Sequence, residues 1–173
     1  RNDHGWPMEV VRGDCERLTG YPAAALQRGD VVWGEDVLHP DERDRMWESV
    51  QDALANDDPF EVTYRIRTAD GETRWLWERG RAVDTPDGEV LEGFIIDITE
   101  RTERERELTR IKRQYETVFA DPNILVAHID TDGTLVDVNP TAMEYVDADR
   151  DDVLGEPFRE TPWFDHSAAA REA

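Results

Sequence analysis

Glu78 is the carboxylate whose position in this chain asks for chemistry. It lies in "ETRWLWERGRAV", residues 72–83, where Leu76, Glu78, Gly80 and Ala82 alternate with Trp75, Trp77, Arg79 and Arg81. Successive side chains of a strand point to opposite faces, so Glu78 shares a face with leucine and alanine. A carboxylate turned toward a core must be paired or protonated, because leaving it charged and alone costs several kcal/mol. Glu78 is therefore expected to hold an arginine, to sit at a sheet margin, or to meet a ligand or signal.

A second chemical set stands at the boundary "EGFIIDITERTERERELTRIKR", residues 92–113. An apolar, β-branched run enters a charged segment with no Gly or Pro between. Asp97 or Thr99 can cap the helix that follows and satisfy donors the helix itself leaves open. Asp97 can also pair with Arg101, and Ile98 keeps an apolar contact with the core. A join without a flexible residue transmits motion, where a glycine-rich turn would absorb it.

Other reactive residues are sparse. Cys15 is the single cysteine, which excludes an internal disulfide and a cysteine-rich metal site. His4, His39, His128 and His166 lack metal-ligand partners at helical or hairpin spacing. "HPDER" at 39–43 suits a helix start, with Pro40 in the first turn. The chain has no phosphate-binding glycine loop, no dinucleotide glycine box and no nucleophile elbow.

These residues need elements to hold them. "MEVVR", 8–12, is a short strand candidate. Asp14 caps a short helical turn that Gly20 ends, and Pro22 opens another. Around "HPDERDRMWESVQDALAND" the spacing predicts a helix with Met46, Trp47, Val50 and Leu54 on one face. Three strands follow, turning at Asp70-Gly71 and at residues 85–88. Their alternation predicts an inner face of Val62, Tyr64, Ile66, Leu76, Glu78, Gly80, Ala82, Leu91, Gly93 and Ile95. Trp75 and Trp77 fall on the other face, where two adjacent tryptophans call for a covering helix or second subunit. Thr99 to about Ala120 is a helix with Leu108, Ile111, Tyr115 and Val118 at seam spacing.

Composition narrows the partners. The 173 residues carry 20 Lys+Arg against 41 Asp+Glu, a formal charge of -21, which opposes nucleic acid and anionic membranes. Lys112 is the only lysine. An acidic, arginine-retaining, nearly lysine-free chain is like the cytoplasmic proteins of salt-accumulating halophiles, where molar salt cuts the Debye length to about 3 Å. The alternative is an acidic interaction protein from an ordinary cell. No apolar run approaches the roughly 20 residues of a membrane helix, and the chain reads as cytoplasmic.

The end of the chain repeats its beginning. "VVRGDCERLTGY" and "LVDVNPTAMEYV" each give a strand, a capping Asp or Asn, and a short helix. Further, "YRIRTADGETRWLWERGRAVDTPDGEVLEGFIIDITER" resembles the PAC segment that closes many PAS domains, and "ERLTGY" and "LHPDER" resemble the first half of one. "DIT" with Arg101 is similar to the family's end-of-domain junction. The resemblance implies an α+β PAS fold with an antiparallel five-stranded sheet and short helices. It divides the chain into 1–98, a PAS domain with its opening strand largely missing; 99–120, a signalling linker helix; and 121–173, the first half of a second PAS domain. The hairpin at 124–139 could fill the missing place in the first sheet.

The same resemblance implies a sensory and relay module cut from a tandem array. The expected parent is a two-component sensor histidine kinase or a transducer of haloarchaeal type, and the chain itself is not the enzyme. A ligand would contact Tyr64, Ile66, Leu76, Glu78, Gly80 and Ile95. Asp97, Thr99 and Arg101 form the signal junction. Trp75, Trp77, Leu108, Ile111, Tyr115 and Val118 would build a homodimer through the linker and the sheet's outer face. The cofactor is open and can be absent. A flavin photoadduct is disfavoured because 22–35 has no cysteine, and haem is disfavoured because His39 suits a helix start. The alternative role is a ligand-free dimerisation module.

Overall fold

Short helices form where the sequence supplies their ends. In the computed structural model, which describes residues 2–3, 5–86 and 88–163, Asp14 accepts from the Arg17 N–H at the start of α1 (Cys15–Thr19). Gly20 closes that helix in the left-handed region at φ 78°, a conformation glycine adopts without a Cβ penalty. Pro22 precedes α2 (Ala23–Arg28) without a side-chain cap, and Gly29 closes it in the left-handed region as Gly20 closes α1. A wide helical turn at Trp33–Val37 and a tight one at Pro40–Glu42 lead into α3 (Arg43–Ala55). Met46 and Val50 of α3 are buried, with Leu54 packed beside them.

The strands β1 (Phe60–Arg67), β2 (Thr73–Thr85) and β3 (Gly88–Asp97) form an antiparallel meander in the order β1-β2-β3. The register places Val62 opposite Glu78, Glu78 opposite Ile95, and Gly80 opposite Gly93. Alternation is clean on β1, where Phe60, Val62, Tyr64 and Ile66 are buried. The inner face packs on Leu26, Trp33, Val37, Leu38, Met46 and Val50. A Cβ on Gly80 would stand 2.3 Å from the Phe60 ring, so only glycine admits that ring over the strand.

After β3 the chain enters α4 (Thr99–Phe119), which buries none of its residues. Along it, Arg104 pairs with Glu100 and Lys112 with Glu116, the i,i+4 contacts that support an exposed helix. The remaining elements are β4 (Ala127–Ile129), β5 (Leu135–Val138), α5 (Pro140–Val146) and α6 (Arg150–Val153). Leu135, Val138, Ala142, Met143 and Val153 make a core of their own. The chain divides into two units, Arg1–Glu105 and Arg106–Ala173.

Three expectations change. Among the described residues, the first unit has a three-stranded sheet instead of five strands. Residues 8–12 form no strand; an isolated strand has no ladder to take up its N–H and C=O groups. The hairpin within 124–139 does not complete the first sheet either, because β4 and β5 pair with each other in a separate sheet. Asn139 explains the preference. It is fully buried, accepts from the N–H groups of Val126 and Ala142, and donates to the Ile124 carbonyl, which ties the hairpin to its own helix. Asp14 and Asn139 thus cap α1 and α5 alike, as the internal repeat predicts.

Candidate functional site

Strand alternation brings Tyr64 and Glu78 together on the inner face. Tyr64 stands two residues along β1 from Val62, the cross-strand partner of Glu78, and so shares its face. Its hydroxyl donates to Glu78 Oε2 at 2.5 Å, and Tyr64 itself is 0% exposed. Burial raises the Glu78 carboxyl above its ordinary value of 4.5, and the tyrosine hydrogen bond only partly offsets this. Burial likewise pushes the Tyr64 phenol well up, reinforced by the Glu78 charge and its hydrogen bond and opposed by the side chain of Trp33. Of the alternatives open for Glu78, an arginine pair is not the one found: its partner is a tyrosine. A phenol can donate one hydrogen bond without adding a charge, so the pair stays neutral when Glu78 holds its proton.

Ile66 and Leu76 are fully buried beside this pair, and Ile95 packs against the same core. Gly80 does not line inner space as expected, because the Phe60 ring fills its inner side. Cys15 is buried in α1 with its sulfur 3.7 Å from Thr19 Oγ1, packed as a small apolar side chain. His39 is itself the cap expected near it: its Nδ1 accepts from the Asp41 N–H at 3.3 Å. His4 and His166 lie outside the described residues. Among the described residues, no cluster of three or more His, Cys, Asp or Glu side chains is arranged to hold a metal.

The junction is bound more tightly than capping alone predicts. Asp97 accepts from the Thr99 N–H at 2.9 Å, which supplies an acceptor to an open donor of α4. The Thr99 hydroxyl turns away from the helix to β2. It accepts from the Trp75 N–H at 2.9 Å and donates to the Trp75 carbonyl at 3.4 Å. The Ile98 N–H adds a bond to the same carbonyl at 2.9 Å. Three bonds to one backbone unit thus continue the β2–β3 ladder past Leu76 and Asp97 into the helix. Arg101 does not pair with Asp97; it reaches Glu105 at 2.9 Å, one turn along its own helix, where the i,i+4 geometry is ready-made.

Glu42 was not among the residues the sequence pointed to. It is buried, and its carboxylate takes Arg45 at 2.5 Å and Arg65 Nε at 2.7 Å. Burial would raise its pKa, but the hydrogen bonds and charges of Arg45 and Arg65 together hold it below 4.5. The Arg65 guanidinium also lies 5.7 Å over the Trp75 ring. The sequence signal was Arg45 three residues after Glu42; the contribution from Arg65 needs β1 to lie against the Pro40–Glu42 turn.

The seam residues Leu108, Ile111, Tyr115 and Val118 are exposed on α4. Tyr115 is engaged within its own unit, donating to Asp137 Oδ2 at 3.2 Å and stacking on Phe119. Trp75 and Trp77 are half-buried, since Arg65 covers one and Phe94 meets the other edge-on at 5.5 Å.

Comparison with known proteins agrees with these two units. Residues 9–94 match the PAS fold family, and residues 122–173 match the PAS domain family. The chain belongs to the PAS family. Over 127 residues, 72% of this PAS chain, it is 30% identical to the methyl sulfide methyltransferase-associated sensor of Methanosarcina acetivorans. Over 130 residues, again 72% of the chain, it is 27% identical to the blue-light-activated histidine kinase of Brucella ovis. The chain spans 12% of the length of the first relative and 26% of the second. Among solved structures, a sensory box histidine kinase/response regulator from Burkholderia thailandensis aligns with 59% of this chain and 76% of its own at 27% identity, with a TM-score of 0.44. Among the described residues, no helix is long and apolar enough to cross a membrane.

Proposed function

We propose that this chain is the sensing and relay segment of a multi-domain, cytoplasmic signalling protein, with a two-component sensor histidine kinase as the parent. The first PAS unit receives the signal at its inner face around Tyr64, Ile66, Leu76, Glu78 and Ile95, and α4 carries it onward. The observation that supports this reading is the Thr99–Trp75 bonding at the start of α4. A displacement of β2 moves the helix start with it, because no flexible residue intervenes. Two copies of α4, meeting through Leu108, Ile111 and Val118, would pass the motion on as a dimer. The acidic composition suits a halophilic cell, in which salt screens the repulsion among carboxylates.

In the full-length parent, Thr99→Val is expected to abolish signal-dependent output while the circular dichroism of the 173-residue chain stays unchanged. Wild-type output from that variant would remove the junction from the mechanism. The alternative, a ligand-free dimerisation module, is favoured by the close packing of Tyr64, Ile66 and Leu76. Absorbance of the purified chain and mass spectrometry of its denatured extract separate the two. A flavin, haem or organic acid recovered in stoichiometric amount supports sensing by ligand, and an empty extract supports the structural role.

A further inference from the structure

Strand β3 is held on one side only. Among the described residues the sheet runs β1-β2-β3, so the far edge of the third strand has no ladder. Register sets Glu78 of β2 opposite Ile95, and Leu76 opposite Asp97. Glu78 and Asp97 are therefore diagonal neighbours on one face, positions that stand about 7–8 Å apart and that long side chains can bridge. Asp97 is the acceptor for the Thr99 N–H at the start of α4. Thr99 in turn carries the bonds to Trp75. A carboxyl group that can gain or lose charge thus stands diagonal to the carboxylate that caps the helix.

Among the described residues, no cation stands beside Glu78 to balance a charge on it. From β1 it meets the Tyr64 phenol, to which the Trp33 side chain of the wide turn also bonds. Glu35 and Asp36 of that turn are exposed. The core residues of α2 and α3 on this side are Leu26, Met46 and Val50. From β3 come Ile95 and, on the diagonal, a second carboxylate, Asp97. Arg45 and Arg65 are committed to Glu42. Arg79 and Arg81, with Glu61 and Glu92 across from them, occupy the alternate, outward positions of the sheet. Glu78 is only half-buried, so its proton can exchange with water.

We propose that Glu78 is a proton-operated switch for the start of α4. With the proton in place, the Tyr64–Glu78 pair is neutral and β3 keeps its register beside β2. When Glu78 gives that proton to water, its carboxylate is left with one phenol donor, no cation, and a second carboxylate on the diagonal. A carboxylate so placed is driven toward water, and the open side of β3 is the way out. The strand has a single ladder to break, so ionisation displaces it at Ile95 and Asp97 and loosens the Thr99–Trp75 bonds that follow. Rising pH therefore releases α4 and falling pH fixes it, the sign expected of a carboxyl that burial holds above 4.5. The switch rests on the inner face being the receiving site, and the proton is the signal received there.

The test is a pH titration of the isotopically labelled 173-residue chain, followed by nuclear magnetic resonance at the Glu78 carboxyl carbon and at the Thr99 and Trp75 amides. As pH rises from 4.5 the three signals are expected to share one midpoint. Exchange of the two amides, corrected for its intrinsic rate, should quicken about tenfold for each pH unit by which folding raises the carboxyl pKa. Glu78→Gln should keep both amides protected over the same range. Tyr64→Phe should move the carboxyl midpoint up, and the amides must follow it, which keeps the test decisive if the glutamine variant does not fold. Amides that titrate unchanged in Glu78→Gln, or that stay unmoved while the Glu78 carboxyl titrates, overturn the proposal. In the second case, loss of signal-dependent output in a Thr99→Val parent would leave the junction relay standing and remove only the proton as its signal.

Discussion

Glu42 and Glu78 both withdraw a carboxyl group from bulk water, and the fold treats them in opposite ways. Glu42, at the turn before α3, meets Arg45 and Arg65. Glu78, on the inner face of β2, meets the Tyr64 hydroxyl and, among the described residues, no cation. Burial acts in the same direction on both, penalising the charge. Two guanidinium groups overcome that penalty at Glu42, and one phenol does not at Glu78. The partner's charge, set against the cost of burial, decides whether a withdrawn carboxyl serves as an anchor or as a proton-responsive group.

The two sites therefore respond to pH with opposite sign. Glu42 has a lowered pKa in the folded chain, so its contribution to stability is present above 4.5 and is lost as pH falls through the folded value. Glu78 has a raised one, so its contribution is complete below 4.5 and is lost as pH rises through the folded value.

Removing the anchor gives the largest expected effect. Glu42→Ala strips Arg45 and Arg65 of their shared acceptor and should cost about 2–3 kcal/mol in urea unfolding at neutral pH. A loss below about 0.5 kcal/mol would mean that water replaces the carboxylate and that the contrast with Glu78 is one of geometry alone. Tyr64→Phe comes next, at about 1–2 kcal/mol, because Glu78 is then left without a donor. The carboxyl pKa should move further up, visible by carbon NMR of the labelled side chain. An unchanged titration would remove Tyr64 from the site's electrostatics.

Glu78→Gln keeps an acceptor for Tyr64 and removes the titration. Its stability at neutral pH should lie within about 1 kcal/mol of the parent, and the loss of stability on the alkaline side of 4.5 that Glu78 causes should disappear. The unaltered slope in this variant would assign it to another group. The smallest effect is expected from Arg65→Lys. An ammonium keeps the charge beside Glu42 but loses the planar fork over Trp75, for about 0.5 kcal/mol. Thermal unfolding at low and high salt separates these parts, since only the ion pair is screened.

The comparison also separates what each site revealed in advance. Glu78 was legible because β2 alternates with period two over a long run, so a single charged residue among Leu76, Gly80 and Ala82 stands out. Its partner was not legible: Tyr64 was placed on the same face, but the choice among an arginine, a sheet margin and a ligand for Glu78 did not include a tyrosine hydroxyl. Glu42 was invisible because its burial comes from β1 crossing the Pro40–Glu42 turn, where Leu38 bridges to Ile66. The junction fell between these cases. Asp97 and Thr99 were recognisable as capping residues, but the reach of Thr99 to Trp75 depends on the β2–β3 register. The sheet was overcounted because the family resemblance carried five strands to a chain whose residues 8–12 meet no ladder partner.

By itself, the sequence determined the local elements and their order. Helix caps at Asp14, Gly20 and Asn139, the alternation of β1 and β2, and the break after α4 are short-range effects, set by backbone sterics and by side chains a few residues apart. Tertiary structure alone decided which charges met. Arg65 goes to Glu42, Tyr64 to Glu78 and Thr99 to Trp75 because the sheet register and the packing of helical turns on it bring together groups far apart in the chain. Hydrogen bonds act over about 3 Å, so such pairings exist only once those surfaces are in place.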